Sequence, residues 1–179
     1  MSKHERMRKA MMTVKQEELI SSFLSKLDEQ TKPVYYEIIS HLSSLGYYPK
    51  KEKSSLSFKH SLHNKQMAKM LSRDNLPVFA LRFSACRGYS QRFEDIVKAF
   101  IVKYPTRSSR CTSDDCNYCG GAAETHVYTA VFSNSETRTH CGAYALEIPE
   151  LRSDDIGEIK KLIQQEHAYL LEHEAGIAN

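Results

Sequence analysis

Four cysteines that lie within 31 residues are the side chains of this sequence best suited to chemistry. They are spaced C-x4-C-x2-C-x21-C, a glycine directly follows the third and the fourth, and they are Cys111, Cys116, Cys119 and Cys141. Thiolates are preferred zinc ligands, and a Cys-x-x-Cys-Gly turn directs two sulfurs at one ion. We therefore predict a structural zinc site of the zinc-knuckle type on these four cysteines, closed by its own ligands and without an open position for catalysis.

Other chemistry fits the same cysteines less well. A C-x4-C-x2-C run with a distant fourth cysteine also occurs in plant-type [2Fe–2S] ferredoxins, but Asp114 and Asp115 would place two carboxylates beside an anionic iron–sulfur cluster. Unligated thiols or a redox pair are a further alternative. His126 or His140 is close enough in sequence to replace one cysteine, although His140 and Cys141 are neighbours on a predicted strand and would face opposite sides of it.

The remaining chemical signals are weaker. His60 and His63 have the spacing of a metal-binding pair, but without a nearby carboxylate we interpret them as two exposed side chains. Cys86 has the basic neighbours Arg82 and Arg87 that favour a reactive thiol, although an inert cysteine at a strand end is the simpler interpretation. Common hydrolase, phosphate-loop and dinucleotide signatures are absent, and so is the nucleobase-deaminase motif. We therefore assign no catalytic residue.

Charge is distributed unevenly along the chain. Residues 1–110 carry a net charge of +11 and residues 111–179 a net charge of −8, which gives +3 for the whole sequence. A basic half of this kind attracts an anionic partner such as nucleic acid, or it pairs with the acidic half within the fold or across a homodimer. The cations that we select for contact with an anion are Lys50, Lys51, Lys53, Lys59, Arg82, Arg87 and Arg92.

The composition predicts a cytoplasmic protein. Five cysteines are an odd number, which suits a reducing compartment better than a set of disulfides. The sequence has no run of about 18 apolar residues, and its basic amino terminus is not followed by the apolar block of a secretion signal. We expect no membrane partner.

Periodic apolar residues predict the elements that must position these side chains. The predicted helices cover residues 3–27, 33–45, 90–104 and a last segment that begins at Ser153. The predicted strands cover residues 56–60, 65–71 and 78–85, followed by a hairpin of 125–132 and 137–148; residues 65–71 also fit a short helix. This order predicts an α+β fold, an antiparallel sheet flanked by amphipathic helices, with a Cys-rich zinc-knuckle loop and a β-hairpin in the C-terminal part.

These observations lead to one functional hypothesis and one main alternative. We divide the chain into an N-terminal helical arm, 1–30, and a single α+β domain, 31–179, in which 108–148 forms the metal-binding loop and hairpin and 153–174 the C-terminal helix. The hypothesis is a cytosolic, zinc-stabilised, noncatalytic binding protein that contacts an anionic partner through its basic N-terminal part. The alternative is a small-molecule sensor or an enzyme in which zinc is purely structural, and a [2Fe–2S] electron-transfer protein comes third.

Overall fold

The described part of the chain contains a five-stranded antiparallel sheet, a separate two-stranded hairpin and four α-helices, so the predicted α+β class is confirmed. The computed structural model describes residues 12–73, 76–82, 88–103, 127–141 and 146–175, with the backbone alone for 127–130, 138–141 and 173–175. The helices are α1 Val14–Leu24, α2 Thr31–Ser44, α3 Gln91–Lys103 and α4 Ile156–Ala175. The strands are β1 Tyr47–Lys51, β2 Ser55–His60, β3 Gln66–Arg73, β4 Leu76–Leu81, β5 Val127–Val131, β6 Thr137–Cys141 and β7 Leu146–Ile148.

The main sheet has the strand order β1-β2-β3-β4-β7, and β5 pairs with β6 in a separate two-stranded hairpin. The run of residues 137–148, which the sequence predicts as one strand, is therefore divided between two sheets. Its second part, β7, pairs with β4 and brings Leu146 beside Leu81 and Ile148 beside Phe79. All four side chains are buried, so apolar burial favours this partner.

One face of the main sheet carries the hydrophobic core. Residues that pair directly across antiparallel strands share a face, and the pairing gives two buried rows across it. These rows are Leu56, Met70, Phe79, Ile148 and Phe58, Ala68, Leu81, Leu146. Their side chains belong to one hydrophobic cluster with buried residues of all four helices. The neighbouring positions Lys50, Lys69 and Glu147 lie on the opposite face.

The first two helices begin and end at recognisable signals. Thr13 forms a capping box with Gln16 at the start of α1, and Ile20 and Leu24 of this helix are buried in the main cluster. After α2, Gly46 has a φ of +86°, which is the left-handed conformation that glycine adopts most easily. The predicted stop of this helix at Gly46 is confirmed.

The last two helices also agree with the sequence pattern. Ser90 Oγ accepts the backbone N–H of Phe93 at 3.4 Å, as expected of an N-cap at the start of α3. A short 3-10 turn, Ser153–Asp155, leads into α4, which packs against α2 and β3. None of the helices in the described ranges combines the length and the apolar composition needed to cross a bilayer.

Candidate functional site

Most of the predicted metal centre lies outside the described residues. Cys111, Cys116 and Cys119 are there, as are Cys86 and His126, whereas β6 ends at Cys141, which pairs with Val127 of β5. The hairpin that carries the fourth cysteine is confirmed, and the zinc site itself stays a prediction. Within the described ranges, no group of three or more His, Cys, Asp or Glu side chains is arranged to hold a metal ion.

The cations selected for anion binding are divided between the two faces of the sheet. Lys50 and Lys51 are neighbours in β1 and therefore point to opposite sides. Lys51 pairs with Leu56 of the core face, whereas Lys50 pairs with Ser57 and its Nζ lies 2.5 Å from Asn64 Oδ1. The two lysines do not belong to one surface patch.

Lys59 lies on the face opposite the core and takes part in a charge network centred on Glu52. The Glu52 carboxylate lies 3.2 Å from Lys59 Nζ and 3.0 Å from Lys69 Nζ. Burial alone would raise the pKa of Glu52, but hydrogen bonds from Lys69, Ser57 and Lys59 lower it to about 2. Lys59 is thus engaged by a carboxylate of the protein, which it shares with Lys69.

Arg82 and Arg92 are also paired within the fold, and Arg87 lies outside the described residues. Arg82 Nε lies 3.0 Å from Glu166 Oε1. Arg92 binds Asp155 through two nitrogens, at 2.9 and 3.1 Å, and also donates to the backbone carbonyls that precede the 3-10 turn. Both guanidinium groups hold the last helix in place, so Lys51 and Lys53 are the selected cations best placed to meet a ligand.

A cleft of about 700 Å³ opens between α1 and the end of the sheet at the β1–β2 turn. Apolar side chains of α1, of the segment that follows it and of the strands line the cleft, namely Leu19, Phe23, Leu27, Leu56, Met70, Leu76 and Pro77. Lys26, Lys51 and Lys53 also line the cleft, and all three are exposed to solvent. Two of the cations predicted from the sequence therefore line the same cleft as a third, Lys26, together with these apolar residues and with polar ones that include Ser22, Ser54, Ser55 and Ser72.

The acidic residues of the cleft are engaged elsewhere. The Asp28 carboxylate accepts the backbone N–H groups of Gln30 and Thr31 at 2.9 and 2.7 Å, and these bonds at the start of α2 lower the pKa of Asp28. Glu52 is held by its two lysines, as described above. Among the described residues, no ion pair involves any of the three cleft lysines. None of the three ammonium groups is therefore held by a carboxylate of the described residues.

Comparison of the chain with protein-family models, with curated proteins and with solved structures gives no match.

A second group of side chains surrounds Tyr47 at the other end of β1 and β2. His60 and His63 stack face to face, with ring centroids 4.0 Å apart and an interplanar angle of 9°. The fully buried Tyr47 lies 4.9 Å from the His60 ring, and its hydroxyl is 3.1 Å from Nδ1 of His167. We call His60, His63 and His167 with Tyr47 the histidine cluster.

The expectation that His60 and His63 are both exposed is wrong, because His60 is 7% exposed and His63 is partly buried. His60 is buried because it pairs with Tyr47 across β1 and β2, on the core face of the sheet. The sequence analysis also missed His167. A signal for it exists, because His167 lies on the α4 face that carries the buried residues Ile163 and Leu170, four positions after one and three before the other.

The surroundings of His167 and of the nearby His41 favour neutral imidazole rings. Burial lowers the pKa of His167, and the nearby His60 and His41 lower it further. His41 of α2 behaves in the same way, because burial and the charge of Lys160 lower its pKa more than a backbone hydrogen bond at Lys160 raises it. Both histidines are therefore biased towards the uncharged form.

Proposed function

We propose that this chain is a noncatalytic binding protein whose cleft between α1 and the sheet holds an anionic ligand with an apolar part. The supporting observation is the placement of Lys26, Lys51 and Lys53 beside apolar residues, while the Asp28 carboxylate is held by backbone N–H groups and the Glu52 carboxylate by Lys59 and Lys69. Several ammonium groups beside one cleft attract an anion towards it, and the apolar residues of the cleft can contact the apolar part of a ligand. The cleft volume also falls in the range of small-molecule sites.

The residues that line the cleft favour a compact ligand over an extended polymer. Sites for single-stranded nucleic acid combine a basic groove with several aromatic rings on which successive bases stack. Among the described residues that line this cleft, Phe23 supplies the aromatic ring, and the other apolar residues are aliphatic. We therefore favour a small amphiphilic anion, which joins the expected anionic partner to the small-molecule alternative, and we keep nucleic acid as the competing ligand.

The test uses 1-anilinonaphthalene-8-sulfonate, a fluorescent anion with an apolar body, titrated into the folded protein. Replacement of Lys51 and Lys53 by glutamine is expected to weaken its binding about tenfold, because two nearby charges are lost. The matched control replaces Lys15 and Lys32 by glutamine. This change removes the same amount of charge, but neither lysine lines the cleft. Far-UV circular dichroism confirms that each variant is folded.

This titration has three possible results, and each one supports or contradicts the proposed ligand site. Selective weakening in the Lys51 and Lys53 variant supports the cleft. Equal weakening in the control variant would show a general charge effect and would refute the proposed site. Tighter binding of a 12-mer single-stranded DNA or RNA, with a steep salt dependence lost in the same variant, would replace the small anion by nucleic acid as the ligand.

We also propose that Cys111, Cys116, Cys119 and Cys141 hold a structural zinc ion. The support is their spacing, together with the hairpin strand that ends at Cys141. Such a site would stabilise the C-terminal part without taking part in ligand binding. An iron–sulfur cluster on the same residues is the less favoured cofactor.

A further inference from the structure

Backbone N–H groups determine the tautomer of two neutral rings in the histidine cluster. The N–H of Leu62 donates to Nδ1 of His60 at 3.3 Å, and the N–H of Lys65 donates to Nδ1 of His63 at 3.2 Å. A ring nitrogen accepts a hydrogen bond only through its lone pair, so the proton of each neutral ring lies on Nε2. An imidazolium ring carries N–H on both nitrogens and would lose its amide contact.

The neighbours of the rings add a second penalty for charge. Two imidazolium rings stacked at the observed 4.0 Å would repel each other, and the His167 ring lies 5.8 Å from that of His60. His167 forms no ion pair with a carboxylate among the described residues. Protonation of one ring therefore raises the cost of protonating the next.

Two carboxylates on the helices packed around the cluster are engaged by cations. On α2, Glu37 is paired with Lys160 of α4 at 2.5 Å, and Lys160 is also the cation that acts on His41. On α4, the carboxylate of Glu166 is paired with Arg82. Lys65 of the β2–β3 turn and Lys50 of β1 add positive charge on the strand side.

The same contacts do not suit a transition-metal ion shared by these rings. A ligating imidazole must present a lone pair to the metal, and the Nδ1 lone pairs of His60 and His63 already accept backbone N–H groups. In addition, nearly parallel rings direct their nitrogens side by side and not towards one point. Proton uptake is the chemistry that this arrangement controls.

We propose that His60, His63 and His167 form an acid-sensitive latch, which fastens the β2–β3 turn to β1 and α4 while the rings are neutral and releases it when they take up protons. Release would break three hydrogen bonds. One joins the Tyr47 hydroxyl to His167, and in the other two the backbone N–H groups of Leu62 and Lys65 donate to the rings of His60 and His63. The latch lies at the opposite end of β1 and β2 from the cleft. It can therefore be tested independently of ligand binding.

The sign of the pH dependence follows from the lowered pKa of His167. The unfolded chain, with a histidine value of 6.5, takes up protons before the folded protein does, so stability falls as the pH decreases below 6.5. Between pH 7.5 and 5.5, each ring that stays neutral in the folded state increases the unfolding equilibrium constant about tenfold. Two such rings would give about a hundredfold increase.

The experiment measures urea unfolding at pH 7.5 and 5.5 for the wild type and for His63→Asn. An asparagine Oδ1 accepts the N–H two residues further on, as His63 Nδ1 does here, but it does not bind a proton in this range. The increase in the unfolding constant is expected to be about tenfold smaller in this variant. The control is Glu52→Gln, which should leave the increase unchanged because the pKa of Glu52 is about 2.

A spectroscopic measurement on the wild type keeps the proposal testable if His63→Asn is unstable. Nitrogen-15 NMR of the imidazole rings at pH 7.5 should show His60 and His63 with the proton on Nε2. At pH 5.5, the hydrogen-exchange protection of the Lys65 amide should fall, while that of Ala80 in β4 is retained. An Nδ1-protonated form of both rings, or an unchanged pH dependence in His63→Asn, would overturn the latch.

Discussion

Arg82 Nε at the end of β4 lies 3.0 Å from Glu166 Oε1 in the middle of α4, across 84 positions of sequence. The Glu166 side chain is fully buried and that of Arg82 is 16% exposed. A buried carboxylate is tolerated when a cation and hydrogen bonds satisfy it. The pair fixes α4 on the sheet and thereby positions the next residue, His167, beside Tyr47.

The first prediction concerns this ion pair. Glu166→Gln should lower the free energy of unfolding by about 2 kcal/mol, because the largely buried charge of Arg82 would lose its carboxylate partner. The double variant Arg82→Met, Glu166→Leu should lose less free energy of unfolding than the single variants Arg82→Met and Glu166→Leu lose together. Urea unfolding at pH 7.5 measures these values, with the exposed Glu172→Gln as control. Additive single effects would contradict an energetic coupling between the two residues.

The second prediction compares two glycines. At Gly46 a β-carbon would lie 3.1 Å from Nε2 of His60, and the φ of +86° disfavours any side chain, so Gly46→Ala should destabilise the protein by about 1–2 kcal/mol. At Gly157 in α4 a β-carbon would meet nothing within 4 Å, so Gly157→Ala should stabilise it by about 0.5–1 kcal/mol. The midpoint temperature of thermal unfolding should therefore fall in Gly46→Ala and rise in Gly157→Ala. A rise in both variants would argue against the positive φ of Gly46.

The third prediction concerns stability in acid. A carboxyl group whose pKa is lowered from 4.5 to about 2 stabilises the folded state above pH 4.5, and this contribution is lost as the pH falls towards 2. The stability difference between wild type and Glu52→Gln should therefore shrink between pH 4.5 and 2, well below the range in which histidines titrate. Acid titrations followed by circular dichroism measure it. A difference that does not change over this range would refute the Glu52 network.

The fourth prediction concerns the cysteines. Cys119→Ser should reduce the zinc content of the purified protein and its thermal stability together, since zinc binding and folding of its site are coupled. Cys86→Ser is the matched control and should retain the metal. Elemental analysis with an optical spectrum gives the answer: an unchanged zinc content in Cys119→Ser would remove this residue from the ligands, and iron with visible absorbance would replace zinc by an iron–sulfur cluster.

Local sequence patterns predicted the elements of the fold better than their partners. Gly46 and Ser90 marked the limits of helices correctly, because helix ends depend on neighbouring residues. Residues 146–148 were assigned to the hairpin, because their alternating pattern does not reveal which strand they pair with. Their pairing with β4 depends on a buried face formed by distant strands.

The same limit applies to the candidate sites. Tyr47 and His167 meet across 120 positions, and no spacing rule relates them. The separation of Lys50 from Lys51, in contrast, follows directly from the alternation of side chains along a strand and was available from the sequence. The cleft itself depends on the position of α1 above Leu56 and Met70, which is a tertiary feature.

The late return of β7 to the sheet has a consequence for the order of folding. Strands β1 to β4 form a meander in which each strand pairs with the next. In contrast, Leu81 of β4 pairs with Leu146 of β7, which lies 65 positions further along the chain. Closing so long a loop is entropically costly and slow. A metal that joined Cys111 to Cys141 would bypass 30 of those positions and reduce the closure cost by about 0.5 kcal/mol. A chelator present during refolding would then delay the final sealing of the sheet.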